Sequence, residues 1–253
     1  EDSPIRVFGV TTGVFAYNYA SGCGLSAHSN KINFYAQCSE ILAWGNRFID
    51  CGGYATHQET SGITWAFNYI PGDHSSHVNS SRAIEDQNWD TPPPIPTVDS
   101  YMFNNTLLPF PDEVGTATNG LSPTRAEAGS NAVDWSIHNN LYNGHYVRDA
   151  ARVDAWGGNW QTNTTQGAYN GRDTVEAATN VWSHPAIGDF TILANAAIRS
   201  ASSQQNLTAI LAILTPIFGD RFAMWDKDAA GHTFSKAEPP VGCVADYDYT
   251  KFE

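Results

Sequence analysis

The segment from residue 47 to residue 62 holds the residues whose types and spacing are best suited to chemistry. Glu59 follows His57 by two positions and is itself followed by Thr, Ser and Gly. Desolvation raises the pKa of a carboxyl group held against aromatic surface, so such a group keeps its proton more readily. A protonated carboxyl is the general acid needed to cleave a glycosidic bond. Glu59 is therefore the candidate acid, with His57 as its catalytic neighbour.

A glycosidase also needs a second carboxylate across a cleft, ~6.5–9.5 Å from the acid if the enzyme inverts. Glu85 is the nearest candidate, with Asp86 and Asp90 close to it in the sequence. Aromatic rings stack on sugar faces, and the candidates for that role are Trp65, Tyr69 and Trp89. The alternative is structural, with Glu59 capping or salt-bridging a helix and Glu85 on a solvated loop.

The segment of residues 47–62 resembles the stretch around the catalytic acid of family 19 chitinases of the lysozyme superfamily. There a helix with an arginine and an aliphatic residue leads into a His-Glu-Thr-Thr-Gly-Gly motif. The matching residues are Arg47, Ile49, Glu59, Thr60 and Gly62. The resemblance implies that Glu59 is the proton donor. The chain departs from the pattern at Gln58, which separates His57 from Glu59, and at Ile63, which replaces the second glycine.

A second cluster is formed by His74 and His77, three residues apart and preceded by Asp73. Imidazole and carboxylate groups ligate zinc or copper. No motif supplies the remaining ligands, so we commit to no metal site and leave open whether the two histidines take part in one.

A third cluster begins at His145, four residues before Asp149, with Arg148 and Arg152 nearby. If this segment is helical, the carboxylate orients the imidazole and stabilises its cation, which makes His145 a usable general base. The alternative is an ion-pair network on an exposed helix face.

Several signatures of cofactor-dependent or nucleophilic enzymes are missing. The sequence has no Walker A loop, no GxGxxG, no GxSxG elbow, no HExxH and no EF-hand loop. We therefore expect no cofactor.

The charge balance excludes further classes of protein. There are 13 Lys and Arg residues against 26 Asp and Glu residues, for a net charge of −13. Such a chain is a poor partner for nucleic acids and for anionic membranes. No apolar run approaches the ~20 residues of a membrane span. The expected partner is a carbohydrate or another small-molecule ligand.

Composition points to the secretory pathway or the extracellular space. The chain begins at Glu1, has few lysines and is rich in Gly, Ser, Thr and aromatic residues. Cysteines in such a compartment form disulfides, and the four here allow three pairings: Cys23, Cys38, Cys51 and Cys243. Four sequons, close to the number expected by chance, mark candidate glycosylation sites at Asn79, Asn104, Asn163 and Asn206.

The elements that position these residues are predicted from hydrophobic spacing. Residues 5–19 read as short strands. Apolar residues three and four apart predict helices over 31–50, 124–142, 144–156, 189–200 and 206–218, the last ending at Gly219. No repeat of 20–50 residues is evident. The expected fold is α+β, mainly helical with a few short N-terminal strands, or alternatively all-α.

We expect residues 1–253 to form a single domain with a long Pro-rich ordered loop around residues 72–111. Three functions fit this picture. The leading hypothesis is a secreted enzyme that cleaves a glycosidic bond in a polysaccharide or oligosaccharide by carboxylate acid/base catalysis. The second is an isomerase or cyclase of the secretory pathway acting on a small hydrophobic molecule through His57 or His145. The third is a non-catalytic protein that binds a carbohydrate or small ligand.

Overall fold

The structure is a computed structural model that describes residues 5–22, 30–35, 37–49, 51, 54–58, 60–70, 84–86, 99–108, 121–124, 135–147, 153–185, 189–200, 205–244, 246 and 248. Most of the secondary structure in these residues is β-strand, and most of the strands belong to three parallel sheets. Strands are numbered along the chain.

Each parallel sheet takes every third strand. The first contains β1 (Arg6–Phe8), β4 (Asn30–Tyr35), β7 (Tyr54–Gln58), β10 (Ile84–Asp86), β13 (Leu121–Thr124) and β16 (His145–Val147). The second contains β2 (Thr11–Ala16), β5 (Ser39–Trp44), β8 (Ser61–Ala66), β11 (Ser100–Phe103), β14 (Trp135–His138) and β17 (Val153–Gly157). The third contains β3 (Tyr19–Ser21), β6 (Arg47–Ile49), β9 (Tyr69–Ile70), β12 (Thr106–Leu107), β15 (Leu141–Tyr142), β18 (Trp160–Gln161) and β19 (Thr174–Val175).

Every strand of these sheets pairs in parallel with the strand one turn earlier or later. In the second sheet, for example, β2 pairs with β5, and β5 pairs with β8. The chain thus passes through the first, second and third sheet in each turn before it starts the next one. This arrangement is a three-sided parallel β-helix, a solenoid in which each turn contacts its neighbours.

The segment after the solenoid adds smaller elements. Strands β20 (Trp182–His184) and β21 (Asp189–Ile192) form an antiparallel pair. Helix α1 (Ala178–Val181) is one turn long, and α2 (Thr208–Phe218) has eleven residues. Two 3-10 turns lie at Tyr169–Gly171 and Ala197–Ser200. Among the described residues, no helix has the length and apolar character needed to cross a membrane.

The expectation of a mainly helical α+β fold, or of an all-α fold, is therefore wrong. Residues 31–50 form β4, β5 and β6 rather than a helix, and the described parts of 124–142 and 144–156 form β14 to β17, with only the end of β13 before them. Residues 189–200 contain β21 and a 3-10 turn. The N-terminal strands are confirmed, and so is α2, with Gly219 at its C-cap.

Burial on both faces explains why strands resembled helices in the sequence. Ile41, Leu42, Ala43 and Trp44 of β5 are all fully buried. Ile41 and Ala43 face the solenoid interior, while Leu42 and Trp44 belong to a second hydrophobic cluster outside it. A strand buried on both faces loses the alternation of apolar and polar residues that identifies a strand.

The predicted loop over residues 72–111 also contains parts of the solenoid. Strands β10, β11 and β12 lie within it and pair with the preceding turn. Residues 72–83, 87–98 and 109–111, including the proline run, lie outside the described residues.

The described residues form two hydrophobic cores, and the solenoid interior is one of them. Side chains from all three sheets fill it, including Phe34, Trp65, Leu107, Trp135, Ile137 and Tyr142. The second core lies between the outer face of the second sheet and the C-terminal segment. There Trp44 packs against Phe222 and Trp225 with ring centroids 5.2 and 5.7 Å apart, and Trp44 Nε1 donates a hydrogen bond to the Lys227 carbonyl (3.0 Å).

A ladder of asparagines marks the corner between the second and third sheets. Its members are Asn18, Asn46, Asn68, Asn105, Asn140 and Asn159, one in each turn. Each side-chain amide donates to the Oδ1 of the next asparagine at 2.8–3.0 Å. The residue before each one has a positive φ: Tyr17, Gly45, Phe67, Asn104, Asn139 and Gly158. This corner is the structural repeat, which was not recognised in the sequence because the ladder positions are unevenly spaced.

Two cysteines depart from the expected disulfide pairing. Cys38 and Cys243 are buried free thiols, in the interior core and the outer core respectively. Burial raises the pKa of the Cys243 thiol. Cys23 lies outside the described residues, so a bridge between Cys23 and the buried Cys51 stays a prediction.

His138, at the end of β14, makes the fold sensitive to acid. Burial lowers its pKa from 6.5 to about 4. Because the pKa of His138 is lower in the folded protein than in the unfolded chain, the unfolded chain takes up the proton first as the pH falls. The free energy of unfolding is therefore at its full value above pH 6.5 and decreases as the pH falls to about 4. We expect unfolding experiments in urea to show a loss of roughly 3 kcal/mol from this group over that range. The His138→Gln variant should show a weaker dependence of the free energy of unfolding on pH. The His184→Gln variant, which changes an exposed histidine, should show the same dependence as the wild type. Identical curves for wild type and His138→Gln would refute the assignment.

Candidate functional site

The structure places the predicted residues of the first motif in different environments. His57 lies on β7 and is buried in the solenoid interior, where its ring packs 5.0 Å from that of Trp135. Trp65 Nε1 donates a hydrogen bond to His57 Nδ1 (3.3 Å). Glu59 lies outside the described residues. His57 therefore contacts the core and is not exposed to a substrate.

Of the other residues of the carboxylate mechanism, Glu85 lies on β10, opposite Thr56 of β7. Trp65 is fully buried and Tyr69 is 9% exposed, so neither presents a ring face to solvent. Trp89 lies outside the described residues. Arg47 and Ile49 lie on strand β6, whereas the chitinase resemblance implies a helix at that point.

The other two clusters have different outcomes. His74 and His77 lie outside the described residues, and the part of the chain that the structure describes contains no group of three or more His, Cys, Asp or Glu residues that could hold a metal. His145 is described, but it lies on strand β16. The helical spacing that would pair it with Asp149 therefore does not apply.

His145 lies at the last turn of the solenoid, among residues from several elements. Tyr142 comes from the strand before it, Trp156 from β17, and Tyr169 from the 3-10 turn that follows the last complete turn. The His145 ring meets those of Tyr169 and Trp156 edge to face, with centroids 5.4 and 5.9 Å apart. Tyr169 packs on Trp156 at 4.5 Å. We call this group of four residues the aromatic end site.

Hydrogen bonds assign the tautomer of His145. The Nε2 amide of the buried Gln161 donates to the Asn163 carbonyl (2.9 Å), which orients Gln161 Oε1 toward His145 Nδ1 (3.1 Å). A carbonyl oxygen only accepts, so Nδ1 carries the proton. The lone pair is then on Nε2, which no hydrogen bond engages among the described residues. His145 is half-buried, so its ring remains partly open to solvent.

The backbone of His145 is also held by a side chain. Gln166 Oε1 accepts from the His145 amide (3.0 Å), and Gln166 Nε2 donates to the His145 carbonyl. Among the described residues β16 is the last strand of the first sheet, so no described strand lies beyond it to pair with these groups. Gln166 satisfies them and positions the imidazole.

Asp173 accepts three hydrogen bonds from residues of the aromatic end site. Its Oδ2 accepts from the Tyr142 hydroxyl (2.8 Å) and from the Tyr169 backbone amide (2.8 Å), and its Oδ1 accepts from Trp156 Nε1. Both oxygens are thus engaged by the residues that hold the rings. Asp173 is a positioning residue rather than a proton donor to a substrate.

Burial perturbs the titrating groups of this site. It lowers the pKa of His145 below 6.5, an effect that the charge of Asp173 and the bond to Gln161 only partly oppose. Burial raises the pKa of Asp173, against its three hydrogen bonds, and raises the pKa of Tyr142 well above 10.0. His145 is therefore neutral at pH 7, the form that accepts a proton. Clusters of perturbed groups in one place are characteristic of functional sites.

No protein-family model, curated protein or solved structure matches this chain. The site is therefore interpreted from its own geometry.

Sequence reasoning singled out His145 but missed its partners. Gln161, Gln166, Tyr169 and Asp173 come from residues 161–173, where the sequon at Asn163 was marked but no catalytic motif was identified. The charged residues next to His145 drew attention instead. A solenoid brings residues one turn apart into contact, so the partners of His145 could be found only once the turns were known.

The predicted glycosylation sites differ in how exposed their asparagine side chains are. Asn104 and Asn163 are fully buried, and Asn104 Nδ2 donates to the Pro240 carbonyl. A glycan on either side chain does not fit the folded protein. Asn206 is exposed, and Asn79 lies outside the described residues. Asn206 is thus the one described sequon that is open to modification.

Replacing Asp173 by Asn tests its structural role. The amide keeps one acceptor oxygen, so at least one of the three donors is left facing an NH₂ group. We expect the free energy of unfolding to fall by about 1–3 kcal/mol, as for an unsatisfied buried donor. Urea denaturation measures this, with the exposed Glu238→Gln as the control. A change within about 0.5 kcal/mol, as is usual at surface positions, would contradict the role.

Proposed function

We propose that the protein is an enzyme that acts on a polysaccharide or oligosaccharide by acid–base catalysis, with His145 as the proton-transferring group. The observation that carries the proposal is the geometry of its ring. Nδ1 is committed to Gln161 Oε1, and Nε2 is available as the base on a partly exposed, aromatic surface. A neutral imidazole with a defined tautomer is the usual general base near pH 7.

The choice of a carbohydrate follows from the surroundings of His145. Aromatic rings supply apolar faces for sugar rings, and side-chain amides supply directional hydrogen bonds to hydroxyls. Tyr169 is half-buried and packs on Trp156, with Gln166 next to it. A solenoid also offers an elongated surface, which suits a linear polymer.

A carboxylate pair is a second candidate, favoured by one observation. β7 and β10 are neighbouring strands, and Glu85 of β10 lies opposite Thr56 of β7. Thr56 precedes Glu59 by three positions in the sequence. Adjacent strands lie ~4.8 Å apart. Glu59 itself lies outside the described residues. We propose cleavage of a glycosidic bond by Glu59 and Glu85 as the second candidate, and Glu59→Gln and Glu85→Gln test it in the assay described next.

The test is a screen of the purified protein against neutral, acidic and amino-sugar polysaccharides, with products analysed by mass spectrometry. Hydrolysis adds the mass of one water to the fragments, and isomerisation leaves the mass unchanged. Turnover of a polysaccharide in either way supports the proposal. Binding without any change in the polysaccharide would identify a carbohydrate-binding protein, and neither binding nor turnover would exclude a carbohydrate substrate.

The pH dependence of turnover provides a further prediction. Burial lowers the pKa of His145 below 6.5. The base is therefore neutral and active above that pKa, and kcat/KM should fall tenfold per pH unit below it. Initial rates measured from pH 4 to pH 8 give the profile, over a range in which the fold is shown by circular dichroism to be intact. A profile that stays flat down to the lowest pH at which the fold is intact would argue against an imidazole base.

A further inference from the structure

A separate cavity lies on the outer face of the second sheet, beneath helix α2. It has a volume of about 60 Å³. The sheet contributes Glu40, Thr64, Asp99 and Tyr101 to its lining, and the helix contributes Ile213 and Ile217 among others. We call it the helix–sheet cavity. It contains no residue of the aromatic end site, so the inference below does not rest on the proposed function.

The sheet side of the helix–sheet cavity carries two carboxylates. Glu40 is half-buried on β5, and its Oε2 accepts a hydrogen bond from Thr12 Oγ1 (2.7 Å). Asp99 is exposed, directly before β11, and it accepts a hydrogen bond from the hydroxyl of Tyr101. No Lys, Arg or His among the described residues lines the cavity. Its charge is therefore negative.

Thr64 supplies a second, independent observation at the helix–sheet cavity. It lines the cavity from β8, between the strands of Glu40 and Asp99, and it is 1% exposed. Its Oγ1 has no hydrogen-bond partner among the described residues. A buried hydroxyl without a partner is costly, so it calls for a group that completes its hydrogen bonding.

The backbone at this place is also unusual. Thr12, Glu40 and Gly62 occupy equivalent positions on β2, β5 and β8, and their φ angles are 59°, 50° and 64°. Positive φ is rare for residues other than glycine, and rarest for β-branched residues such as Thr. These three residues therefore mark a second place where the backbone conformation recurs in successive turns.

We propose that the helix–sheet cavity binds a primary ammonium group carried on a short alkyl chain. The three N–H groups of the ammonium match three acceptors, namely the carboxylates of Glu40 and Asp99 and Thr64 Oγ1. Ile213 and Ile217 provide apolar contact for the alkyl carbons. A volume of about 60 Å³ admits an ammonium group and its nearest carbons.

A metal ion is the competing occupant. The described residues contain no group of three or more His, Cys, Asp or Glu side chains that could hold one. Two carboxylates and a hydroxyl suit an ammonium, which needs three acceptors, better than a calcium ion, which takes six to eight oxygens.

The experiment is a titration with n-butylammonium chloride, followed through the methyl NMR signals of Ile213 and Ile217. We expect both signals to shift on addition of n-butylammonium and to remain unchanged with n-butanol at equal concentration. Glu40→Gln should weaken the binding about tenfold or more, since it removes a charge-assisted hydrogen bond. Asp189→Asn, at an exposed carboxylate that does not line the cavity, should leave it unchanged.

Thr64→Val provides a second variant with nearly the same shape. It should weaken n-butylammonium binding while leaving the folded protein as stable or more stable, because it removes an unpaired buried hydroxyl. Equal shifts with n-butanol would mean an apolar pocket and would overturn the proposal. Displacement of n-butylammonium by CaCl₂ at matched ionic strength would assign the cavity to a metal, and absence of any shift would reject the site.

Discussion

Replacing Asn105 by Ala is expected to lower the free energy of unfolding by about 3–5 kcal/mol. Asn105 Oδ1 accepts from both the backbone amide and the Nδ2 of Asn68 (3.0 and 2.9 Å). Its Nδ2 donates to the Trp65 carbonyl (3.0 Å) and to Asn140 Oδ1 (2.9 Å). Each buried polar group left without a partner costs about 1–3 kcal/mol. The loss is a large part of the 5–15 kcal/mol of a typical domain.

Asn18→Ala is the matched control for Asn105→Ala. Asn18 starts the ladder and is half-buried, and among the described residues its side chain makes one hydrogen bond, to Asn46 Oδ1 (2.8 Å). We expect a loss of about 1 kcal/mol or less. Urea denaturation of both variants, monitored by circular dichroism, measures the difference. Equal losses of stability in the two variants would show that a central asparagine of the ladder contributes no more to stability than the asparagine at its end.

Replacing His145 by Gln is expected to reduce kcat/KM on the substrate found in the polysaccharide screen by about 10²–10⁴-fold. That is the usual contribution of a general base, and an amide cannot accept and release a proton near pH 7. The fold should be preserved, since Gln166 binds the backbone of residue 145 rather than its ring. Initial-rate kinetics measure the effect, and thermal unfolding checks the fold.

His184→Gln is the control for the loss of a histidine. His184 is exposed on β20 and bonds only to Ser183 and Asp189 among the described residues. Activity of this variant should equal that of the wild type. A loss of less than about tenfold in His145→Gln, with the fold intact, would remove His145 from the chemistry.

The resemblance to family 19 chitinases depended on a short linear match, and the structure shows why such a match is weak here. Arg47 lies on β6, and Gly62 begins the next turn on β8. Residues that are close in sequence thus lie on different sides of the solenoid. His145 and Gln161 do meet, through a hydrogen bond, although they are 16 positions apart and were not linked by any motif.

The sequence alone determined the features that depend on local physics. Helix α2 was predicted correctly, because its buried residues Leu211, Leu214 and Phe218 recur three and four positions apart and Gly219 lies at its C-cap. The short N-terminal strands were predicted correctly because their outer faces are exposed or half-buried, so β-forming residues are not masked by a second core. The net charge of −13 is likewise a property of the sequence.

Only the tertiary structure decided the fold class and the composition of the site. In β5 the outer-facing Leu42 and Trp44 are apolar because the C-terminal segment covers them, and that covering erases the period of two from the sequence. The ladder asparagines are 19 to 37 residues apart in the sequence, yet each lies within 3.0 Å of the next. The stacking of turns creates these contacts. The loops between the strands vary in length, but the stacking of the turns stays the same. A fixed-period search therefore misses the repeat, whereas the hydrogen bonds between neighbouring turns reveal it.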